Sequence, residues 1–164
     1  MKFNNLQKEC YDRAAYLCSR SEKSSGSICK KLQDWGLAPD EAEQVLKKLT
    51  ADQFIDDIRF AKSYVRDKFR FNKWGKIKIQ YQLKAENISG NIIKLAIEEI
   101  DNESYIEILS NLISDKNKTI QSVNPYERRG KLLRFAQSRG FEPELIHTVI
   151  DQVEKGIDFL SHES

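Results

Sequence analysis

The residues whose types and spacing point most directly to chemistry are the cations between Arg59 and Lys84. This segment carries nine Lys or Arg residues and one acid, Asp67, so its net charge is +8 in a chain whose net charge is +2. The remainder sums to −6, and we expect the flanking repeats, together with the rest of the chain, to be net acidic. Segregated charge indicates a surface for a polyanionic or acidic partner. The candidate partner-binding residues are Arg59, Lys62, Arg66, Lys68, Arg70, Lys73, Lys76, Lys78 and Lys84.

Helical spacing places part of this charge on one face. Successive separations of 3, 4 and 4 residues put four cations on a single stripe of a helix predicted from Gln53 to Phe71. An apolar stripe lies on the opposite side and would be buried. A solvated polar face is the ordinary explanation of such a stripe, but here the usual mixture of signs is missing, which favours binding. The cationic stripe is Arg59, Lys62, Arg66 and Arg70, and the apolar stripe is Phe54, Ile58, Ala61, Val65 and Phe69.

No catalytic constellation can be assembled from the sequence. A phosphate-binding GxxxxGK[ST] loop is absent, and the SxxK tetrapeptide at Ser27 lacks any companion motif. His147 is predicted to be a packing residue, and Asp56 and Asp57 are predicted to interact with a helix dipole rather than with a metal. We therefore predict a protein that is not an enzyme and that uses no cofactor or metal.

Composition excludes several classes of protein. At 164 residues, with 40% hydrophobic and 32% charged residues, the chain fits an ordinary soluble protein of one or a few small domains. No apolar run approaches the roughly 18 residues of a membrane span, and the N-terminal residues lack the core of a signal peptide. Cys10, Cys18 and Cys29 are predicted to be buried, reduced thiols, so a cytoplasmic location is expected.

Three segments of the chain repeat one pattern without gaps: residues 28–49, 79–100 and 132–153. Apolar residues match at five positions, and one position is held by Gly36, Asn87 and Gly140. Glycine and asparagine most readily adopt positive φ, so this position is predicted to be a helix C-terminal cap. Pro39 and Pro143 would then begin the next helix, and in the middle copy Ser89 would be the N-cap.

An amphipathic stretch precedes each of these helix pairs, so the predicted fold is all-α. It consists of three tandem three-helix repeats in an elongated, curved, solenoid-like array. The predicted bounds are 1–50, 51–101 and 102–155, followed by a frayed tail at 156–164. The longest irregular stretch is expected at 116–125, between the first two helices of the last repeat.

The middle of the chain resembles the RecX family of regulatory proteins. The matching residues are the Asp56-Asp57 pair, Arg59-Phe60-Ala61, Tyr64-Val65-Arg66 and Asn72-Lys73-Trp74-Gly75, followed by the helix from Ile79 to Leu83. Residues 133–141 are similar to the family's C-terminal repeat, and residues 16–32 resemble its first repeat more weakly. Lys76 departs from the proline that many relatives have there, and Asn87 departs from their usual glycine.

The resemblance implies three tandem three-helix repeats and a regulatory function. RecX proteins bind the RecA recombinase, chiefly as its filament on single-stranded DNA. They inhibit its ATPase, strand-exchange and coprotease activities, and some also bind DNA. We therefore expect a RecA filament as the partner, with single-stranded DNA as part of that filament, no membrane contact and a monomeric regulator.

A direct DNA- or RNA-binding helical module is the alternative interpretation. The helix–turn–helix pairs could contact a duplex, and aromatic residues among the cations could stack on bases. Most of these aromatics are predicted to lie on the core side, which favours a protein partner. Trp74 in particular is predicted to be structural, at the joint between the first two helices of the middle repeat.

Overall fold

Residues 2–156, which the structure describes, form nine α-helices and no strand in a computed structural model of the chain. The helices follow one another in three sets of three, so the predicted all-α fold of tandem three-helix repeats is confirmed. Of the predicted tail, all but Gly156 lies outside the described residues. The helices are α1 Asn5–Arg20, α2 Ser25–Asp34, α3 Pro39–Ala51, α4 Asp57–Arg70, α5 Lys76–Ala85, α6 Gly90–Ile97, α7 Asn102–Thr119, α8 Pro125–Ser138 and α9 Pro143–Glu154.

The turn within each repeated segment has the predicted backbone conformation. Gly36, Asn87 and Gly140 have φ angles of 107°, 60° and 92°, in the left-handed region that ends a helix. The helices after the first and third of these turns begin at Pro39 and Pro143, where a missing N–H costs least. The repeat alignment therefore located the turns correctly.

Helix α4 begins four residues later than predicted. Asp56 Oδ1 accepts hydrogen bonds from the backbone N–H groups of Ile58 (3.0 Å) and Arg59 (3.1 Å), which makes Asp56 the N-terminal cap. Gln53 has a φ of 65°, which is incompatible with the start of a helix. The prediction that the helix begins at Gln53 is therefore wrong, because capping overrides the apolar periodicity.

Helix α7 continues to Thr119, so the irregular stretch before α8 is shorter than predicted. One side chain, Arg128, organises this stretch. Its guanidinium donates to the carbonyl (2.9 Å) and side-chain oxygen (2.7 Å) of Asn117 and to the carbonyls of Ile120 (3.0 Å) and Ser122 (2.7 Å). These bonds tie α8 to the last turn of α7 and satisfy the carbonyls of Ile120 and Ser122 in the stretch that follows it.

The chain divides into two compact units, and their boundaries fall inside helices. The first unit comprises the residues up to Tyr64 together with Gln82–Ala96. The second comprises Val65–Tyr81 together with the described residues from Ile97 onward. Helices α4 and α5 therefore each contribute residues to both units.

In the first unit, an apolar core holds α1, α2 and α3 together. Buried Gln7 adds a polar link from α1 to α3, because its side-chain amide donates to Gln44 Oε1 at 2.9 Å. Asp57, in the first turn of α4, accepts from the backbone N–H (2.8 Å) and hydroxyl (2.6 Å) of Ser25 at the start of α2. The core residues are Cys10, Ala14, Ile28, Leu32, Leu37, Ala42, Val45, Leu49 and Ile55.

The three cysteines are free thiols, as predicted, and all lie in the first unit. Cys10 is buried as predicted, but Cys18 and Cys29 are half-buried, so the prediction of burial is wrong for these two. Burial raises the pKa of the Cys10 and Cys18 thiols. Because the thiolate is the reactive form, these two residues are better suited to packing than to chemistry.

In the second unit, three aromatic rings form the centre of the core. The centroid of the Tyr105 ring lies 5.8 Å from that of Phe69 and 5.1 Å from that of Phe141. The Tyr105 hydroxyl accepts from the Lys76 backbone N–H (2.9 Å) and donates to Glu142. Burial, followed by this bond to Glu142, raises the pKa of Tyr105, so the hydroxyl keeps the proton that it donates.

Candidate partner-binding surface

The cations of the middle repeat lie on α4, on α5 and in the turn between them. Five are on α4, three are on α5, and Lys73 lies in the turn with a φ of 56°. Arg59, Lys62 and Lys84 belong to the first unit, and the other six belong to the second. The exposed members are Arg59, Arg66, Arg70, Lys73 and Lys84, whereas Lys62, Lys68, Lys76 and Lys78 are half-buried.

Arg59 is engaged within the first unit. Its Nε lies 2.6 Å from Glu22 Oε1, and its Nη2 donates to the carbonyls of Gln53 (3.1 Å) and Phe54 (3.4 Å). The side chain thereby satisfies backbone acceptors in the turn that precedes α4. A partner anion would have to compete with these bonds, so Arg59 is a weaker candidate than its exposure suggests.

Two lysines of the second unit flank the Trp74 ring. Lys68 Nζ lies 4.9 Å from the ring centroid and Lys78 Nζ lies 4.5 Å from it, both within cation–π range. Lys76 Nζ lies 4.6 Å from the Tyr105 ring. These contacts hold three cations of the candidate set against aromatic rings, so part of the predicted surface also stabilises the fold.

Arg70 and Lys73 are the exposed cations around the end of α4 in the second unit, together with Arg66. Arg66 Nε lies 3.8 Å from Asp67 Oδ1, an exposed pair that contributes little to stability. Substitution of such exposed side chains generally shifts stability by no more than about 0.5 kcal/mol. This end of the surface is therefore the part where function can be tested without disturbing the fold.

Exposed apolar residues accompany these cations, and sequence reasoning missed them. Phe71, Ile77 and Tyr81 are 79%, 48% and 71% exposed. The sequence placed Phe71 at the end of the predicted helix, but α4 ends at Arg70, so Phe71 lies beyond the helix. Ile77 and Tyr81 are four residues apart on α5, so they share a face of that helix. The spacing of apolar residues along a helix does not show whether the face that they form is covered by the rest of the protein or exposed.

A close approach between two glycines fixes the turn between α4 and α5 within the second unit. The Gly75 N–H donates to the Arg139 carbonyl at 2.7 Å, and the Ile77 N–H donates to the Gly140 carbonyl at 2.9 Å. A Cβ on Gly75 would lie 2.3 Å from the Gly140 oxygen, and one on Gly140 would lie 2.2 Å from Lys78 Cβ. We call this contact the glycine joint. It brings together two motifs that carried the family resemblance, residues 72–75 and 133–141.

The charge of the flanking repeats differs from the expectation. Residues 1–50 carry nine Lys or Arg and seven Asp or Glu, and residues 102–155 carry eight of each. Neither flanking repeat is therefore net acidic, and the expectation is wrong. Part of the −6 outside the basic segment comes from acids close to its two ends, among them Asp56, Asp57 and Glu86. The positive and negative charges are therefore segregated within the middle repeat itself.

The fold and this surface define a class of protein. Tandem helical repeats that present a basic surface with exposed aromatic residues are suited to binding other macromolecules. Models of the first, second and third three-helix domains of RecX match residues 10–49, 56–97 and 103–150 of the chain. The chain therefore belongs to the RecX family of regulatory proteins.

Curated relatives carry the same family description. The regulatory protein RecX of Lactobacillus johnsonii is 26% identical over 136 residues, which cover 83% of this chain and 50% of the relative. That of Clostridium acetobutylicum is 29% identical, with 86% and 67% covered, and that of Prosthecochloris aestuarii is 26% identical, with 89% and 94% covered. The chain thus spans half the length of the first relative and nearly all of the third.

Two solved structures share the fold. A crystal structure of a regulatory protein RecX superposes with a TM-score of 0.81 at 24% identity, covering 90% of this chain and 72% of that one. The crystal structure of RecX from Lactobacillus salivarius gives a TM-score of 0.84 at 20% identity, covering 92% and 98%. Among the described residues, no helix is long and apolar enough to cross a membrane.

Proposed function

We propose that this chain is a non-enzymatic regulator that binds the RecA recombinase filament on single-stranded DNA. It inhibits the filament's ATPase, strand-exchange and coprotease activities and so modulates DNA repair and recombination. Membership of the RecX family of regulatory proteins supports this proposal. The observation that carries it is the mixed surface of the second unit, where Arg70 and Lys73 accompany the exposed side chains of Phe71, Ile77 and Tyr81.

That mixture favours a protein partner. Arginine, tyrosine and phenylalanine are enriched at protein interfaces, where a few such side chains provide most of the binding energy. A surface that contacts only phosphates needs cations but gains nothing from an exposed isoleucine. An acidic protein surface with apolar pockets, close to the phosphates of bound DNA, uses both kinds of side chain.

The second candidate function is direct binding of DNA or RNA. Exposed Phe71 and Tyr81 beside cations support it, because bases stack on aromatic rings in single-strand binding proteins. The two functions differ in what they require. A naked oligonucleotide would be sufficient for the alternative, whereas the proposed function requires the assembled RecA filament.

The test uses the paired substitution Arg70→Glu with Lys73→Glu in the full chain. The matched control is Lys8→Glu with Lys94→Glu, which makes the same charge change at exposed residues of the first unit. We expect the first variant to lose inhibition of RecA ATPase while its helical circular dichroism and thermal midpoint stay close to wild type. The control should inhibit normally. Equal inhibition by all three proteins would reject this surface.

Separate apolar substitutions distinguish the two functions. Phe71→Ser and Tyr81→Ser remove exposed rings without changing charge, so their effect reports apolar contact or stacking. We expect weaker capture of RecA filaments in a pulldown and little change in a mobility-shift assay on naked single-stranded DNA. A loss confined to naked DNA would support the alternative instead.

Filament binding should also weaken as salt rises. Charged contacts are screened at higher ionic strength, and contacts with phosphates lose the benefit of counterion release. A titration of RecA–DNA binding between low and moderate salt measures this dependence. A flat response would show that apolar contacts carry the affinity and that the cations are incidental.

A further inference from the structure

A second basic segment lies in the third repeat, outside the surface described above. Residues 116–139 contain seven Lys or Arg residues and one acid, Glu127, so their net charge is +6. The whole of residues 102–155 has no net charge, which conceals the local excess. The seven cations are Lys116, Lys118, Arg128, Arg129, Lys131, Arg134 and Arg139.

Two of these seven serve the fold. Arg128 is bound to the carbonyl groups of Asn117, Ile120 and Ser122, as described above. Arg129 Nη1 lies 2.8 Å from Asp151 and 3.4 Å from Glu154, and Nη2 contacts His147 at 3.1 Å. Neither guanidinium is therefore well placed to meet a ligand.

Three of the others line one open cleft between the last turn of α7 and α8. The cleft has a volume of about 580 Å³ and is lined by the side chains of Lys116, Lys131 and Arg134 beside Phe135 and Ile120. Among the described residues that line it there is no acid. Lys131 and Arg134 are three residues apart on α8, so they share a face of that helix. We call this site the third-repeat cleft.

The Phe135 ring positions the charge. Lys116 Nζ and Arg139 Cζ each lie 5.3 Å from the centroid of this half-buried ring, which is within cation–π range. Lys131 forms an exposed pair with Glu127, at 3.4 Å, which a ligand could readily displace. The cleft thus has one cation, Lys116, held in place before any ligand arrives, which lowers the entropic cost of binding an anion there.

We propose that the third-repeat cleft binds the phosphodiester backbone of single-stranded nucleic acid. Lysine and arginine are the residues that bind phosphate, and three of them along one cleft suit an anion whose charges recur at every nucleotide. The apolar lining is limited to Phe135 and Ile120, and Ile120 is already buried. The cleft therefore offers little to anchor an apolar side chain of an acidic peptide, which makes nucleic acid the better fit.

The test uses Lys131→Glu with Arg134→Glu, because both side chains are exposed and their replacement leaves the core intact. The matched control is Lys118→Glu with Lys155→Glu, the same charge change at exposed cations of the same unit outside the cleft. Fluorescence anisotropy with a labelled thymidine oligonucleotide measures affinity across a salt series for the full-length proteins. Circular dichroism melting checks that each variant is folded.

We expect the cleft variant to bind the oligonucleotide roughly tenfold or more weakly at low salt. Two lost phosphate contacts should also flatten the slope of log K against log salt by about 1.4, since each contributes about 0.7 for a single strand. The control should keep the slope of the wild-type protein. An equal loss in both variants would overturn the proposal, since it would show that only total charge matters.

A competition arm tests the other class of ligand. If an oligoglutamate peptide binds the wild-type protein as tightly as the oligonucleotide does, and the cleft variant loses that binding, the cleft recognises acidic protein and the proposal fails. The outcome is separable from the proposed function, because the Arg70 and Lys73 substitutions lie on a different element. Those substitutions should leave most of the oligonucleotide salt slope intact while they abolish filament inhibition.

Discussion

Replacing Gly75 by alanine should destabilise the second unit severely. The added Cβ would lie 2.3 Å from the Gly140 carbonyl oxygen, 2.4 Å from its carbon and 2.5 Å from the Phe141 nitrogen. All three are backbone atoms, so no side chain can turn aside to make room. To reach an ordinary carbon–oxygen separation, the two segments must move apart by roughly 1 Å.

That displacement breaks the bonds of the glycine joint. The Gly75 N–H to Arg139 carbonyl distance is 2.7 Å and the Ile77 N–H to Gly140 carbonyl distance is 2.9 Å, and adding roughly 1 Å takes both beyond hydrogen-bond range. Gly75 is buried, so its N–H left without a partner costs about 1–3 kcal/mol, whereas the N–H of exposed Ile77 can bond to water instead. Alanine also restricts the unfolded chain more than glycine does, which stabilises the folded state by about 0.4–1 kcal/mol, too little to offset the loss.

The matched control is Gly90→Ala. No heavy atom lies within 4 Å of a Cβ at Gly90, which is the first residue of α6, so this change should be neutral or slightly stabilising. Urea unfolding of both variants, followed by circular dichroism and by fluorescence of the neighbouring Trp74, gives the two free energies of unfolding. If Gly75→Ala unfolds at the same urea concentration as Gly90→Ala, the close backbone approach is not what stabilises this joint.

Three further predictions follow from individual contacts. Trp74→Ala should lower the free energy of unfolding by about 1–3 kcal/mol, less than the loss of a fully buried ring would, because this ring is half-buried between two lysines. A variant that unfolds like the wild type but no longer binds its partner would instead show that Trp74 contacts the partner. Lys76→Pro should change the free energy of unfolding by no more than about 1 kcal/mol. It removes one hydrogen bond, from the Lys76 N–H to the Tyr105 hydroxyl, at the first position of α5, which tolerates proline. A much larger loss of stability in urea unfolding would mean that the proline ring clashes with its neighbours. Hydrogen bonds from Tyr11 and then from Lys48 lower the pKa of Asp52 below its ordinary value of 3.8. The stability that these bonds add to the folded protein is therefore present above pH 3.8 and is lost as the pH falls through the lowered pKa of Asp52. The difference in thermal midpoint between wild type and Tyr11→Phe should therefore shrink at pH 2 compared with pH 7, and an unchanged difference would show that the hydroxyl acts in another way.

The repeat alignment predicted the turns because turn chemistry is local. Few residues adopt positive φ without strain, so Gly36, Asn87 and Gly140 at one matched position were sufficient to place three helix ends. The start of α4 was mispredicted for an equally local reason. Apolar periodicity extended back to Phe54, but the Asp56 cap determines where the helix can begin.

Exposure and pairing within the candidate surface depend on residues far away in sequence. Arg59 pairs with Glu22, which is 37 positions distant, and charge spacing on one helix contains no information about that contact. Phe71 resembles buried Phe69, two residues earlier, until the end of α4 is known. The basic segment of residues 116–139 could have been found from the sequence by counting charge in short windows instead of over whole repeats.

The position of the unit boundaries also changes how a truncation should be designed. Removing residues 102–164 would delete Tyr105, against which Phe69 packs, and Phe141, which packs against Tyr105. It would also delete the backbone that pairs with Gly75. Such a chain should lose its second unit rather than only its last repeat. Point substitutions are therefore the better way to separate filament inhibition from binding to naked DNA.

The boundary between the units lies inside α4, so we expect the two compact units, and not the sequence repeats, to open cooperatively. Residues up to Tyr64 belong to one compact unit and those from Val65 to another, although a single helix contains both. Amide hydrogen exchange under native conditions should therefore show two protection levels along this helix, with a change near its middle. Shuffling or circularly permuting the chain at the apparent repeat borders would cut across both structural units, so this protein cannot be treated as a string of interchangeable modules.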